Sequence, residues 1–336
     1  MHKLLPILHV LSKLIMLFAG LYVVPAVVSI IYQDGTLDEF LVSMFVGMAL
    51  GLLLRAVTRR YEAELKPRDG FMLVSFLWIG FAATATTPFL LHFPDLGFTS
   101  AFFEAMSGLT TTGATVLSGL DHLPPAINFW RHFLNWLGGM GIIVLAVAIL
   151  PLLGVGGSQV FKAETPGPMK DDKLTPRIAE TARGLWAVYF AIATACLLGY
   201  RWAGMSWPDA FMHMCSTMGL GGLAGYDASF AAFDSLKVEL VAIVFMLLAG
   251  VNFALYFRIW QRRSMRPLWR DLEARLFFAL MAASVAVVTV FLVAHGVYPE
   301  WTTALRHAAF NVISVATTTG FATVDYAQWP IFAPIL

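Results

Sequence analysis

The sequence predicts an all-α polytopic membrane protein, and its composition, its apolar runs and a repeated glycine-centred motif all favour this class. Of its 336 residues, 59% are hydrophobic and 13% are charged, whereas a soluble domain carries about 25% charged residues. The mean hydropathy is +0.74. These values exclude a disordered chain, a secreted disulfide scaffold and an ordinary soluble enzyme. The net charge of +1 argues against a nucleic-acid-binding protein, which would show a concentrated basic face.

Apolar runs long enough to cross a bilayer recur along the chain. The predicted spans cover residues 4–31, 40–54, 71–91, 126–154, 185–204, 238–257 and 276–294, and an eighth begins near residue 328. The first run contains Lys3 and Lys13, and no small-residue cleavage site followed by a soluble domain comes after it. We therefore interpret it as a retained span and not as a signal peptide.

The basic residues alternate between the two sides of these spans. Loops 55–70, 158–183 and 258–275 carry five, five and six basic residues, whereas the alternate connections carry only Arg306. Because short basic loops stay on the cytoplasmic side, we expect the N-terminus and these three loops to be cytoplasmic. The same loops are expected to meet membrane lipid headgroups.

A serine and a glycine six residues later recur three times in the outer connections. The pairs are Ser107 and Gly113, Ser216 and Gly222, and Ser314 and Gly320; the residues just before each glycine are Thr110-Thr111-Thr112, Gly219-Leu220-Gly221 and Thr317-Thr318-Thr319. A repeat of this kind indicates a duplicated structural unit. The sequence thus predicts two leading helices in 1–57, followed by span, pore helix, filter and span units in 70–157, 183–260 and 272–336, the last incomplete.

Each unit predicts a short helix that enters from outside and an extended segment that returns. The helix before Thr110 has about 12 residues and is about 18 Å long, which is half of a hydrocarbon core. Its C-terminal end favours a cation, and the returning carbonyls can replace the hydration shell of that cation. The predicted cation-binding filter consists of Thr110, Thr111, Thr112, Gly113, Leu220, Gly221, Gly222, Thr318, Thr319 and Gly320.

Other side chains are predicted to support this filter. Glu104 is expected to orient a neighbour or to brace the filter by hydrogen bonding. Asp227 and Asp325 both lie five residues after an aligned glycine, so we expect both at the rim. The three aligned serines are expected to act from the pore helices. Arg131 and Arg201 lie near outer span ends and are expected to extend their charged ends towards water.

Several segments resemble the membrane subunits of the Trk-type potassium uptake family, the TrkH and TrkG proteins. They are Ser107–Thr115, Trp136–Val144, Leu150–Gly157, Ala163–Pro168 and Pro176–Ala182. The resemblance implies potassium-channel-like repeats around a central pore and potassium uptake across the bacterial inner membrane. It implies K⁺ bound by the carbonyls of Thr111, Thr112, Leu220, Gly221, Thr318 and Thr319, with Na⁺ or H⁺ as a possible coupled ion and no organic cofactor. It also implies a homodimer and a cytoplasmic nucleotide-binding regulator of the TrkA type.

Two features depart from the family pattern. The family has four repeats, and this chain holds two and part of a third, so we interpret it as a fragment of a longer protein. The second filter has no threonines, so the carbonyl rings formed by the copies together should be less uniform. The selectivity of the protein for potassium over sodium should therefore be modest. The alternatives left open are a sodium-dependent Ktr-type transporter and a membrane scaffold that does not transport.

Overall fold

Helices make up almost all of the regular structure, and no strand occurs in the part of the chain that the computed structural model describes, residues 4–61, 67–139, 141 and 178–335. The helices are α1 (Leu5–Gly20), α2 (Val23–Tyr32), α3 (Leu37–Thr58), α4 (Pro67–Ala85), α5 (Thr87–His92), α6 (Gly97–Leu109), α7 (Pro125–Gly139), α8 (Ile178–Ala203), α9 (Trp207–Gly219), α10 (Leu236–Ala249), α11 (Phe253–Arg262), α12 (Arg266–Arg270), α13 (Leu272–Ala294), α14 (Trp301–Ala316) and α15 (Phe332–Ile335). The all-helical prediction is confirmed.

Five helical stretches in this part of the chain are long and apolar enough to cross a membrane, and α10 with α11 makes a sixth if the pair counts as one span. The five are Leu5–Tyr32, Leu37–Thr58, Asp69–His92, Arg183–Ala203 and Leu272–Ala294. They confirm a membrane protein with several spans. The predicted span 126–154 begins in α7, but most of its second half lies outside the described residues. So do most of the basic loop 158–183 and the motifs Leu150–Gly157 and Ala163–Pro168.

The predicted span 238–257 is a bent pair of helices and not one straight helix. The helix breaks after Ala249, and α11 leaves at 87° to α10. Asn252 caps α11 by accepting a hydrogen bond from the Ala254 amide at 3.1 Å. The Tyr256 hydroxyl donates to the Leu248 carbonyl at 2.7 Å. These contacts satisfy backbone groups that the break exposes, which is a requirement near a membrane.

The described residues form two compact units. The first comprises those in Met1–Thr110, Thr115–Leu117 and His122–Ala187, and the second those in Thr111–Ala114, Ser118–Asp121 and Val188–Leu336. All three predicted filter segments contribute their central residues to the second unit. The contacts described below each lie within one unit.

The first unit depends on a close approach between α1 and α3. Ser43, Gly47 and Gly51 recur at four-residue spacing on α3, and all three are buried. A Cβ atom built on Gly47 would lie 2.8 Å from the Ala19 Cβ. Small residues at this spacing let two helix backbones approach in a membrane, where no hydrophobic effect drives their association.

In the first unit, the break between α4 and α5 provides two backbone carbonyls that accept hydrogen bonds from buried aromatic side chains. Pro88 has no amide hydrogen, so the Thr84 carbonyl loses its normal helical partner. The Tyr22 hydroxyl donates to this carbonyl at 2.6 Å. Trp130 donates through Nε1 to the next carbonyl, that of Ala85, at 3.2 Å. The helix break therefore fixes two fully buried aromatic side chains.

We predict that Gly47→Ala lowers the stability of the first unit. The added methyl group meets the Cβ of Ala19, which cannot rotate away, so overpacking should cost about 1–3 kcal/mol. The measurement is the midpoint of thermal unfolding in detergent. Gly20→Ala is the matched control, because no atom lies within 4 Å of its Cβ position. Equal midpoints for the two variants would contradict the close approach.

Candidate cation filter

Three short helices lead into the predicted filter segments. They are α6 and α9, with 13 residues each, and α14, with 16 residues. At 1.5 Å per residue the first two are about 20 Å long and the third about 24 Å, which is less than a hydrocarbon core of about 30 Å. Each helix is followed by a non-helical segment, as the repeats predict.

The three filter segments share one backbone conformation. The φ angles are 55°, 52° and 63° at Thr111, Leu220 and Thr318, and 74°, 63° and 88° at Gly113, Gly222 and Gly320. The same two aligned positions are therefore left-handed in every copy. Positive φ is unfavourable for a threonine, costing about 1–3 kcal/mol, and such strain is characteristic of functional backbone.

The left-handed turns direct the filter amides back to their own helices. Gly221 donates its amide hydrogen to the Ser216 carbonyl at 3.1 Å, and Thr319 donates to the Ser314 carbonyl at 2.8 Å. The Ser314 hydroxyl in turn donates to the Phe321 carbonyl at 2.7 Å. In the second and third copies, these bonds occupy filter amides and leave the carbonyls of the same residues free of that contact. In the third copy, the predicted supporting serine, Ser314, therefore contacts the chain just after the filter segment.

The filter segments lie against one another in chain order. A Cβ atom built on Gly113 would lie 1.6 Å from the Gly221 carbonyl oxygen, and one built on Gly222 would lie 1.8 Å from the Thr319 carbonyl oxygen. Only glycine fits at either position. Around Gly320, no described atom lies within 4 Å of the Cβ position.

Further links join the segments that follow the glycines. The Asp227 carboxylate accepts hydrogen bonds from the amides of Gly119 at 2.9 Å and Leu120 at 3.1 Å. The Ser229 hydroxyl accepts from the Ala322 amide at 3.2 Å, and the Ala231 amide donates to the Ala322 carbonyl, also at 3.2 Å. These bonds connect the first return segment to the second and the second to the third.

The second predicted rim acid makes different contacts. Asp325 begins the short turn Tyr326–Gln328 and accepts hydrogen bonds from the Ala327 amide at 3.1 Å and the Gln328 side chain at 2.9 Å. Its partners are local, whereas those of Asp227 are more than 100 residues away in sequence. Equal spacing from the glycine therefore does not give the two acids equal partners.

A tyrosine on the return segment contacts the preceding short helix. The Tyr226 hydroxyl donates to the Asp209 carboxylate at 2.9 Å. Partial burial and this hydrogen bond raise the pKa of Tyr226 to about 12. The hydroxyl therefore stays protonated and remains a donor at physiological pH.

Glu104 is buried and braces the chain after the first filter segment. It accepts from the Arg131 Nε at 2.7 Å, from the Thr115 hydroxyl at 2.9 Å and from the Val116 amide at 3.1 Å. Arg131 also donates to the Asn128 side chain at 3.0 Å. These are the contacts expected of a bracing carboxylate.

The expectation that Arg131 extends towards water is wrong. Arg131 is 1% exposed, because its guanidinium lies against the buried Glu104 carboxylate. An isolated carboxylate in such a place would be very costly, so its cation must be buried with it. The indication in the sequence was Glu104 itself, because a glutamate within a predicted pore helix requires a cationic partner. Arg201, by contrast, is exposed and lies over the Trp207 ring at 5.6 Å.

A second buried acid, Glu239, forms an ion pair that the sequence did not predict. Arg306 on α14 donates to the Glu239 carboxylate on α10 at 2.7 Å and 2.8 Å, and to Asp234 at 2.9 Å. Glu239 is 2% exposed. The pair fixes the third short helix to α10, the helix that follows the second filter segment. The indication of this pair in the sequence was Arg306, the one lysine or arginine in the outer connections.

The long apolar helices, together with three short helices that are each followed by a left-handed segment, define the class of this protein: a polytopic membrane protein with repeated pore-helix units. Its packed segments are the candidate cation filter. The family model described as "TrkH: Cation transport protein" matches residues 37–336. The chain belongs to this TrkH family.

Individual relatives agree with this assignment. The Trk system potassium uptake protein TrkH of Salmonella typhimurium is 46% identical over 331 residues, covering 98% of this chain and 68% of that protein. TrkG of Escherichia coli is 41% identical, covering 96% and 66%. The crystal structure of the potassium transporter TrkH from Vibrio parahaemolyticus superposes with a TM-score of 0.86 at 40% identity, covering 98% of this chain and 68% of that one.

We predict that Glu104→Ala destabilises the protein strongly. The change leaves Arg131 buried without its partner, and breaking a buried pair costs about 3–5 kcal/mol. The measurement is the shift in the thermal unfolding midpoint. The control Asp325→Ala removes a carboxylate with only local partners and should shift it little. The double variant Glu104→Gln with Arg131→Met should be less damaging than its two single changes added together. Simple additivity would contradict the coupling.

Proposed function

We propose that this chain takes up potassium across the bacterial inner membrane through its filter segments. The K⁺ ligands would be the carbonyls of Thr111, Thr112, Leu220, Gly221, Thr318 and Thr319. The observation that carries the proposal is the serial packing of the filters, with Gly113 against Gly221 and Gly222 against Thr319. It brings the carbonyl-bearing segments of three repeats together. Oxygen ligands of this kind suit a monovalent cation.

The helix ends support a cation at this place. α9 and α14 lead directly into their filter segments, so their C-terminal ends adjoin the proposed ligands. A helix C-terminus carries a partial negative charge of about half an elementary charge. That field stabilises a cation without placing a carboxylate at the site, where an ion would be bound too tightly to leave.

Family membership favours the Trk type over a sodium-dependent Ktr-type transporter, since the relatives described above are all Trk proteins. The orientation follows from the alternating basic loops, which favour a cytoplasmic N-terminus. A homodimer, a nucleotide-binding regulator of the TrkA type and Na⁺ or H⁺ as the coupled ion remain proposals from the resemblance. So does a fourth filter segment.

Uptake by the intact protein that contains this sequence tests the filter. We expect Gly113→Ala and Gly222→Ala each to abolish potassium-limited growth of an uptake-deficient strain, because the new Cβ would displace a filter carbonyl. Gly119→Ala is the matched control. Its φ is also positive, at 69°, but no atom lies within 4 Å of its Cβ position. Normal growth with Gly113→Ala at equal membrane expression would overturn the assignment.

Selectivity should be modest, because the three filters are braced unequally. The Thr317 hydroxyl contacts that of Thr319 at 2.8 Å and donates to the Ile313 carbonyl at 2.7 Å. At the positions aligned with these two threonines, the second filter has Gly219 and Gly221, which have no hydroxyl. We expect reversal potentials of the intact wild-type protein to show potassium preferred, with measurable sodium permeation. Strict exclusion of sodium would contradict this reasoning.

A further inference from the structure

The break in the predicted sixth span produces an arginine-rich segment with an ordered inner face. We call residues 253–275 the basic elbow; it comprises α11, α12 and the first turn of α13. Leu255 of α11 packs in a buried cluster with Val251 and Ala274, and Leu268 of α12 packs against this cluster. The elbow is therefore held against the ends of α10 and α13.

The outer face of the elbow combines exposed aromatic and cationic side chains. Trp260 is 59% exposed, Met265 53% and Trp269 69%. The exposed arginines of this face are Arg262, Arg263, Arg266 and Arg270. Among the described residues, none of these four arginines forms an ion pair with a carboxylate. Asp271, the nearest acid in sequence, caps α13 by accepting from the Ala274 amide at 2.9 Å.

This composition suits neither bulk water nor the hydrocarbon core. Two largely exposed tryptophans beside an exposed methionine form an apolar surface that soluble proteins seldom leave uncovered. Arginine at the bilayer centre costs at least about 2.5–3.5 kcal/mol on insertion scales. The headgroup region accepts both residue types, since tryptophan concentrates there and arginine binds phosphate with a planar pair of donors.

The position of the elbow in the chain also favours the headgroup region of the membrane. It joins α10 to α13, and α13 is an apolar helix of 23 residues that is long enough to cross a membrane. The bend of 87° between α10 and α11 turns the chain away from the direction of α10. An amphipathic segment tied at both ends to apolar helices is suited to the membrane surface.

We propose that the outer face of the basic elbow is a binding site for anionic phospholipid headgroups. Arg262, Arg266 and Arg270 bind the phosphates, and Trp260 and Trp269 lie at the level of the glycerol groups. A cytoplasmic protein is the competing partner for such a face, because arginine and tryptophan are also common in protein interfaces. Charge complementarity and the attachment to apolar helices favour the lipid.

The first test compares the intact protein in zwitterionic nanodiscs with and without phosphatidylglycerol. Each basic residue near an anionic surface contributes about 1 kcal/mol. The triple variant Arg262→Gln, Arg266→Gln, Arg270→Gln should therefore bind phosphatidylglycerol on the order of a hundredfold more weakly, if the contributions add. The readouts are lipid retention in native mass spectrometry and the rise of the thermal midpoint with phosphatidylglycerol.

The matched control replaces the same three arginines with lysine, which keeps the charge. It should retain most of the affinity, and its midpoint in zwitterionic lipid should equal that of the glutamine variant, which shows that both fold. Unchanged phosphatidylglycerol retention by the glutamine variant would overturn the proposal. If the glutamine variant retained phosphatidylglycerol but no longer bound a cytoplasmic regulator, the face would be assigned to a protein partner and the proposal would again be overturned.

A depth measurement tests the placement independently. A nitroxide attached at Met265→Cys should show a higher ratio of accessibility to oxygen over accessibility to a water-soluble nickel complex than a nitroxide at Asp95→Cys, an exposed position of an outer connection, because Met265 lies beside the tryptophans at the level of the glycerol groups. The native cysteines, Cys196 and Cys215, are both buried and should not compete for the label. An equal ratio at the two positions would place the elbow in water and overturn the proposal.

Discussion

The structure depends on one constraint: a helix that ends inside a membrane must still satisfy its backbone hydrogen-bonding groups. The left-handed residues at Leu220 and Thr318 meet it by turning the next amide back onto the helix, so that Gly221 binds Ser216 and Thr319 binds Ser314. These amides thus bind carbonyls of their own helix. A segment whose amides are held in this way can present its own carbonyls to a cation.

Buried charge then fixes the helices around the first and third filter segments, and it does so differently at the two places. In the first unit a pore-helix acid, Glu104, binds an arginine on the following helix. In the second unit a pore-helix arginine, Arg306, binds Glu239, an acid on α10, which belongs to the preceding repeat. Buried pairs are weak evidence for added stability, but each is sensitive to the loss of one partner. The repeats therefore share a filter conformation while their supports differ.

The sequence predicted the filter register well because glycine and serine spacing reports local backbone geometry. It aligned Gly113, Gly222 and Gly320, which are left-handed in all three copies, but it did not predict the left-handed conformation two residues before each of them. It failed where the answer was a tertiary contact: Arg131 looks like a surface arginine until its distance to Glu104 is known. The broken span was an intermediate case, since Gly250 and Asn252 are residues that end and begin helices. There the apolar composition of 238–257 outweighed the local signal.

The second filter shows how support can come from neighbours in place of side chains. Gly219 and Gly221 offer no hydroxyl, yet this segment lies between the other two, with the Gly221 carbonyl against Gly113 and Gly222 against the Thr319 carbonyl. Asp227 further ties its return segment to Gly119 and Leu120. Glycine is needed for these close approaches, because any Cβ would overlap a carbonyl. The feature that makes the second filter chemically unlike the others is thus compatible with its position between them, and a less rigid carbonyl ring is the expected consequence.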